Sequence, residues 1–246
     1  MMVKNNRTQT YLVLGFALGF PTFATWLYFE VLAQSHWVQI LYGASKFIQF
    51  SLPLAWILWV QKRKLLLSKP SGQGAWIGMG SGLLVVVILG LAYFGYLKGS
   101  SYLAATPLLL REKLTSFGIN TPVSYWSFAI FLSLVHSYLE EYYWRWFLFG
   151  ELRNIIGIPW AIIVSSLGFM AHHIIVINAF LPPELFWNVT LLFSLCVGLG
   201  GAFWAWLYQK SGSLLGPWLS HLIVDLGIMA IGWYIIMGDP VQLKSN

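Results

Sequence analysis

HSYLEEYYWRWFLFGELRN, residues 136–154, sets Glu140, Glu141 and Arg145 inside an apolar run of a chain in which only 9% of residues are charged. A charged side chain at the bilayer centre costs about 2.5–3.5 kcal/mol on insertion scales unless it faces a cavity or a partner. The stretch therefore poses two linked questions: whether its surroundings are membrane, and what these charges do there.

The surroundings answer the first. The 246 residues are 58% hydrophobic and 17% aromatic, with a mean hydropathy of +0.71, whereas a soluble domain is about 25% charged. Apolar runs of about 20 residues, the length of a transmembrane helix, follow one another almost without interruption. Spans are expected at about 10–33, 36–60, 74–97, 123–152, 158–178, 185–209 and 213–237. The pattern predicts an all-α polytopic membrane protein of about seven to eight transmembrane helices with a central polar cavity. It reads as one integral membrane domain, 1–246, with a motif-bearing core at about 123–237. Between the third and fourth spans, PLLLREKLTSFGI reads as an interfacial or re-entrant helix, and an eighth crossing arises if it enters the bilayer. The first apolar run continues past Pro21 for a full span, so it reads as a transmembrane helix rather than a cleaved signal peptide.

The net charge of +6 does not indicate nucleic acid, because no basic cluster is interleaved with aromatics on a polar surface. The basic residues sit mainly at span ends, where they set topology and meet lipid headgroups. Lys4, Arg7, Lys62, Arg63, Lys64, Lys69, Arg153 and Lys210 fall on one side, and Lys98, Arg111, Lys113 and Lys244 on the other. This bias predicts a cytoplasmic N-terminus, and the short loops suggest a prokaryotic cytoplasmic membrane. The single cysteine, Cys196, excludes an internal disulfide and a cysteine metal cluster, and reads as a packed thiol. Gly74, Gly78 and Gly82 recur every four residues, a spacing that lets helices approach closely. A nucleotide loop at 78–82 is disfavoured because no strand precedes it.

Few polar residues remain inside the spans. Glu30 reaches the interface at the end of its span, and Lys46 takes a structural role by default. Glu141 and Arg145 are four residues apart and share a helix face. Glu140 points about 100° away from Glu141, on a face shared with His136 and Trp144. A structural ion pair and a functional site are both open at this point. In the fifth span Phe169 and His173 lie one turn apart, and the adjacent His172 and His173 cannot point the same way. In the last span His221 and Asp225 lie one turn apart, after Pro217, a candidate kink. At a rise of about 1.5 Å per residue, these groups fall at similar depth near mid-membrane.

Glu140-Glu141-Tyr-Tyr-Trp-Arg145, Phe169-Met-Ala-His172-His173 and His221-Leu-Ile-Val-Asp225 fit, in order, EExxxR, FxxxH and HxxxN/D. Together they resemble the CAAX prenyl protease and bacteriocin-processing family of intramembrane glutamic endopeptidases, also called Abi proteins, over about residues 137–229. The resemblance implies hydrolysis of a membrane-tethered peptide or protein without a cofactor. Glu140 would be the general base, His173 would hold the attacking water, and His221 with Asp225 would face the oxyanion. Glu141, Arg145, Phe169, His172 and His136 would support them. Asp225 departs from the asparagine of many relatives and donates a hydrogen bond only when protonated.

Three other readings stand beside this one. Glu, His and Asp are acceptable zinc ligands, although HExxH is absent and no metal is assigned. A proton-coupled transporter would use such groups, but here they cluster in the second half without a counterpart in the first. A non-proteolytic scaffold or immunity protein needs no catalysis at all. The substrate, whether a prenylated C-terminus, a bacterial peptide or a sorting signal, is not encoded in the motifs, and neither is the oligomeric state.

Overall fold

The computed structural model describes residues 7–33, 35–64, 70–100 and 103–237, and all regular structure among them is helical. Lys4, Lys69 and Lys244, part of the orientation argument, lie outside these residues. α1 is Arg7–Val31. α2 is Val38–Ala55, continued by the π-helical turn Trp56–Val60. α3 is Gly72–Leu97 and α4 the short Thr106–Ser116. α5, residues 122–156, is an unbroken succession of α- and π-helical segments. α6 is Ile158–Ala179, α7 Pro183–Ser211 and α8 Leu215–Met237. Five of these, α1, α3, α6, α7 and α8, are long and apolar enough to cross a membrane. The protein is an integral membrane protein built of helices. Exposed Trp76, Leu84, Leu91, Trp160 and Leu199 lie on its outer faces, as lipid contact requires.

The long helices run alternately between two ends. At one end Gln61 donates to Glu151 at 2.7 Å, Arg63 pairs with the same carboxylate, and Arg153 donates to Gln209 at 2.7 Å. The close of α2, α5 and α7 therefore meet there, with the basic residues of the larger group. At the other end Lys98 donates to the Tyr234 hydroxyl at 2.6 Å and Arg111 to the Ile236 carbonyl. α4 lies at this second end, against Phe29 and Tyr42 through Phe117. Its 11 residues span about 16 Å, half the hydrocarbon thickness of about 30 Å. It is too short to cross on its own.

α3 and α8 pack most intimately. A Cβ at Gly78 would overlap the Gly216 backbone, and one at Gly82 would lie 2.9 Å from the Ser220 carbonyl oxygen. Ser81 and Ser220 exchange a hydroxyl hydrogen bond of 3.0 Å across the same seam. The four-residue glycine spacing is thus a backbone-to-backbone contact, the geometry small residues permit between membrane helices, and Gly78–Gly82 lies on a helix. Cys196 is exposed on α7 rather than packed: its turn faces outward, where a thiol is apolar enough to remain. Pro217 falls in the first turn of α8. There its missing N–H has no intrahelical partner to lose, so it starts the helix instead of kinking it. Glu30 is exposed in the last turn of α1, as its position suggested.

The interior is aromatic. Trp56, Tyr143, Trp144, Phe147, Phe169 and Trp204 form one buried cluster where α2, α5, α6 and α7 meet. The Tyr143 hydroxyl donates to the Ala17 carbonyl at 2.6 Å and ties α5 to α1. α5 starts at a capping box between Thr121 and Ser124, with Pro122 in its first turn. Its middle is unusual: the α-helical turn Ser137–Glu141 lies between π-helical Leu132–His136 and Tyr142–Phe149. Such widened turns are often found at functional sites.

Candidate active site

The helical period decides what each carboxylate of α5 meets. His136 and Glu140, four residues apart, face the same way, with His136 Nε2 3.3 Å from Glu140 Oε1. Glu141 faces elsewhere and lies against Arg145, with Nη1 to Oε1 at 3.1 Å. Both residues of this second pair are buried. The guanidinium lies over the Phe169 ring at 4.4 Å and the Trp204 ring at 5.1 Å. Neither of its terminal nitrogens has hydrogen-bond alignment with a partner, so charge and ring contact hold it rather than a directional bond. Gly201 leaves it room, since a Cβ there would lie 3.2 Å from Nη2.

α6 and α8 complete the group. His172 Nε2 lies 3.5 Å from Glu140 Oε1, and His221 Nε2 lies 3.7 Å from Glu140 Oε2. Imidazoles from three helices thus surround one carboxylate that is 3% exposed. These separations are longer than the usual hydrogen bond of about 2.7–3.2 Å, and His172 Nε2 has no hydrogen-bond partner. His221 makes its short contact on the other ring nitrogen, with Nδ1 2.8 Å from Glu141 Oε1. A carboxylate accepts, so Nδ1 carries the proton and Nε2 turns toward Glu140 and Asp225. Asp225 Oδ1 lies 3.6 Å from that Nε2, and with 24% of its side chain exposed it is the least buried carboxylate of the group.

His173 joins differently. Its Nδ1 lies 2.8 Å from the Phe169 carbonyl, which fixes the proton on Nδ1 and leaves Nε2 as an acceptor. Its ring centre is 4.1 Å from that of His172 and 4.4 Å from that of Phe169. It meets the cluster through these rings, with no ion-pair contact to Glu140. Of the two adjacent histidines, His172 has that contact.

Glu140, Glu141, Arg145, His136, Phe169, His172, His221 and Asp225 therefore form one contiguous network, with His173 at its side. Sequence reasoning missed the indole platforms beneath it. Trp144 stacks on His172 at 5.5 Å and 2°, and Trp204 on His221 at 4.2 Å and 16°. Trp144 was visible only as a neighbour on the face of Glu140. Trp204 lies on α7, which carries no polar pattern, so nothing in the spacing marked it. Among the described residues no group of three or more His, Cys, Asp or Glu is arranged to hold a metal ion.

Residues 122–227 match the family model described as Rce1-like, type II CAAX prenyl endopeptidase. Comparison with curated proteins and with solved structures gave no match. The matched segment holds every residue of the network, from His136 to Asp225.

Proposed function

We propose that this integral membrane protein, whose residues 122–227 carry a domain of the Rce1-like type II CAAX prenyl endopeptidase family, is a peptidase that uses Glu140 as the general base on water. The supporting observation is the convergence of His136, His172 and His221 on that one buried carboxylate.

The chemistry follows from the tautomers. A water seated beside Glu140 gives a proton to the carboxylate as its oxygen attacks the scissile carbonyl. His173 Nε2, left as an acceptor by the Phe169 carbonyl, takes the second hydrogen bond of that water and orients it. His221 has Nδ1 engaged by Glu141, so a proton on Nε2 makes it an imidazolium that donates to the oxyanion formed on the substrate. Asp225, one turn further, donates to the same oxygen when protonated and otherwise steadies the His221 cation. Glu141 and Arg145 hold α5 and α8 in register.

The substrate is a peptide or protein tethered to the membrane, with prenylated C-termini the first class to test. α2 and α5 cross the bilayer beside the five more apolar spans, and the end carrying Arg63 and Arg153 is cytoplasmic by the positive-inside bias. The testing experiment is cleavage of a lipidated reporter peptide by the full chain in vesicles. Glu140→Gln keeps the shape and removes the base, and its rate falls by about 10²–10⁴ with extraction and unfolding temperature unchanged. A chelator leaves the wild-type rate unchanged. A Glu140→Gln protein that cleaves at the wild-type rate sinks the proposal, and chelator-sensitive cleavage moves the chemistry to a metal.

A further inference from the structure

α7 contributes a ring to the network rather than a charge. Gly201 and Trp204 lie three residues apart and share a face of that helix. The glycine lets α7 close on the guanidinium of Arg145, since a Cβ there would lie 3.2 Å from Nη2. Trp204, 6% exposed, then projects into the site. Its indole lies over His221, with ring centres 4.2 Å apart and planes at 16°. Trp206, two residues on, is 41% exposed on the outer side of the same helix.

His221 is surrounded in two different ways. Charged groups lie around its edge, in reach of the ring nitrogens. Glu141 Oε1 lies 2.8 Å from Nδ1, and Glu140 Oε2 and Asp225 Oδ1 lie 3.7 and 3.6 Å from Nε2. Arg145 shares the Glu141 oxygen at 3.1 Å. The His136 and His173 imidazoles interact with His221 at longer range, and His172 flanks Glu140. Over the face of His221 lies Trp204, while Phe169 meets it at a near-perpendicular 88°, 6.0 Å away. His221 is 4% exposed, so a positive charge on it needs stabilisation from its surroundings. Carboxylates supply this at the nitrogens, but one drawn tightly onto Nε2 would occupy the proton that the oxyanion needs. An indole supplies it from above, through the negative face of its π-system, and leaves Nε2–H free in the plane of the imidazole.

We propose that Trp204 is a positioning residue for the hydrolysis: its indole face holds His221 in place and stabilises the positive charge that this ring carries as it donates to the oxyanion. The inference rests on the peptidase reading, which makes His221 the oxyanion donor. Trp204 acts through His221 and touches no reacting atom. Its contribution is made in the transition state, so it enters kcat and not KM. Packing alone predicts a different dependence. A space-filling ring is judged by its shape, whereas this one is judged by the electron density of its face.

Fluorine separates the two, because it drains the face while barely changing the outline. The mono-, di- and trifluoro analogues of tryptophan, with fluorine on the benzene half, replace Trp204 in the full-length chain in vesicles. The same series in place of Trp206 is the control. With the lipidated reporter peptide, kcat falls stepwise by about 10-fold over the Trp204 series, KM stays within about twofold, and the Trp206 series is flat. Trp204→Phe keeps a smaller face and loses less than Trp204→Leu. A flat Trp204 series, a fall that appears in KM, or equal falls in the two series overturns the proposal. A second arm needs no turnover: the fluorine resonance of the monofluoro analogue in place of Trp204 is followed against pH. It shows a titration step that is absent from His221→Gln, and a resonance without that step overturns the proposal even where the chain cleaves peptide. A wild-type chain that cleaves nothing counts against the peptidase reading, and the fluorine resonance still decides this proposal.

Discussion

His221 on α8 and Glu141 on α5 meet at 2.8 Å through Nδ1 and Oε1, and Arg145 lies 3.1 Å from the same oxygen. One carboxylate oxygen therefore serves an arginine of its own helix and a histidine of another. That contact fixes the tautomer of His221 and sends its second nitrogen toward Glu140 and Asp225. On the proposed mechanism Glu141 is a positioning residue, and its effects should divide between stability and rate.

Glu141→Gln retains an acceptor for His221 but leaves Arg145 buried without its counter-charge. Breaking one side of a buried pair costs about 3–5 kcal/mol. The expected result is a clear fall in the unfolding temperature of the detergent-solubilised protein, followed by intrinsic tryptophan fluorescence. Cleavage measured well below that temperature falls by a smaller factor than in Glu140→Gln. An unchanged unfolding temperature would show that the pair carries no stability.

Arg145→Lys tests the shape of the cation. The guanidinium is planar and lies over Phe169 and Trp204, with Gly201 making space for it. An ammonium keeps the charge and loses the stacked face. Arg145→Lys is therefore expected to lose nearly as much thermal stability as Arg145→Met. Full recovery by lysine would reduce the site to a point charge and contradict the ring contacts.

The α3–α8 seam gives a comparison within one helix. Gly78→Leu drives a side chain into the Gly216 backbone, whereas a Cβ at Gly80 meets nothing within 4 Å. Gly78→Leu should give little folded protein on extraction, and Gly80→Leu, two residues away, should behave as wild type. Equal yields would mean that the two helices separate without penalty. Because α8 carries His221 and Asp225, partial separation also reduces cleavage.

The helical class was legible because lipid leaves few alternatives, and five of the spans could be drawn from apolar length alone. The pairs within one helix were legible too. A four-residue spacing fixes a shared face, so His136 with Glu140, Glu141 with Arg145 and His221 with Asp225 follow from the period. Contacts between helices were not. That His221 binds Glu141, and that His172 has the contact to Glu140, depends on helix rotation and on which residues are small at the crossings. Gly168 is an instance: a Cβ there would lie 2.9 Å from the Trp144 ring, so its absence lets Trp144 slide under His172. Lys46 shows the same limit. Its depth was readable, but only the Tyr42 and Phe50 rings, 5.8 and 5.7 Å from its ammonium, show that it stays there.

The two adjacent histidines of α6 carry the sharpest prediction. His172 Nε2 lies 3.5 Å from Glu140, while His173 is set by the Phe169 carbonyl with its Nε2 lone pair free. A group that orients the attacking water acts as one unit with the base, and residues that act as a unit are strongly non-additive on removal. His173→Ala should therefore lose about as much cleavage as Glu140→Gln, and the double variant should be little worse than either. On the proposed mechanism His172 borders the carboxylate without holding the water, so His172→Ala should lose less, and its loss should add to that of His173→Ala. Single-turnover cleavage by the three single variants and their three pairwise doubles, with binding of the uncut peptide measured alongside, decides between the two imidazoles. If His172→Ala is the variant that fails to add to Glu140→Gln, the water belongs to His172, and His173 is a packing residue against Phe169.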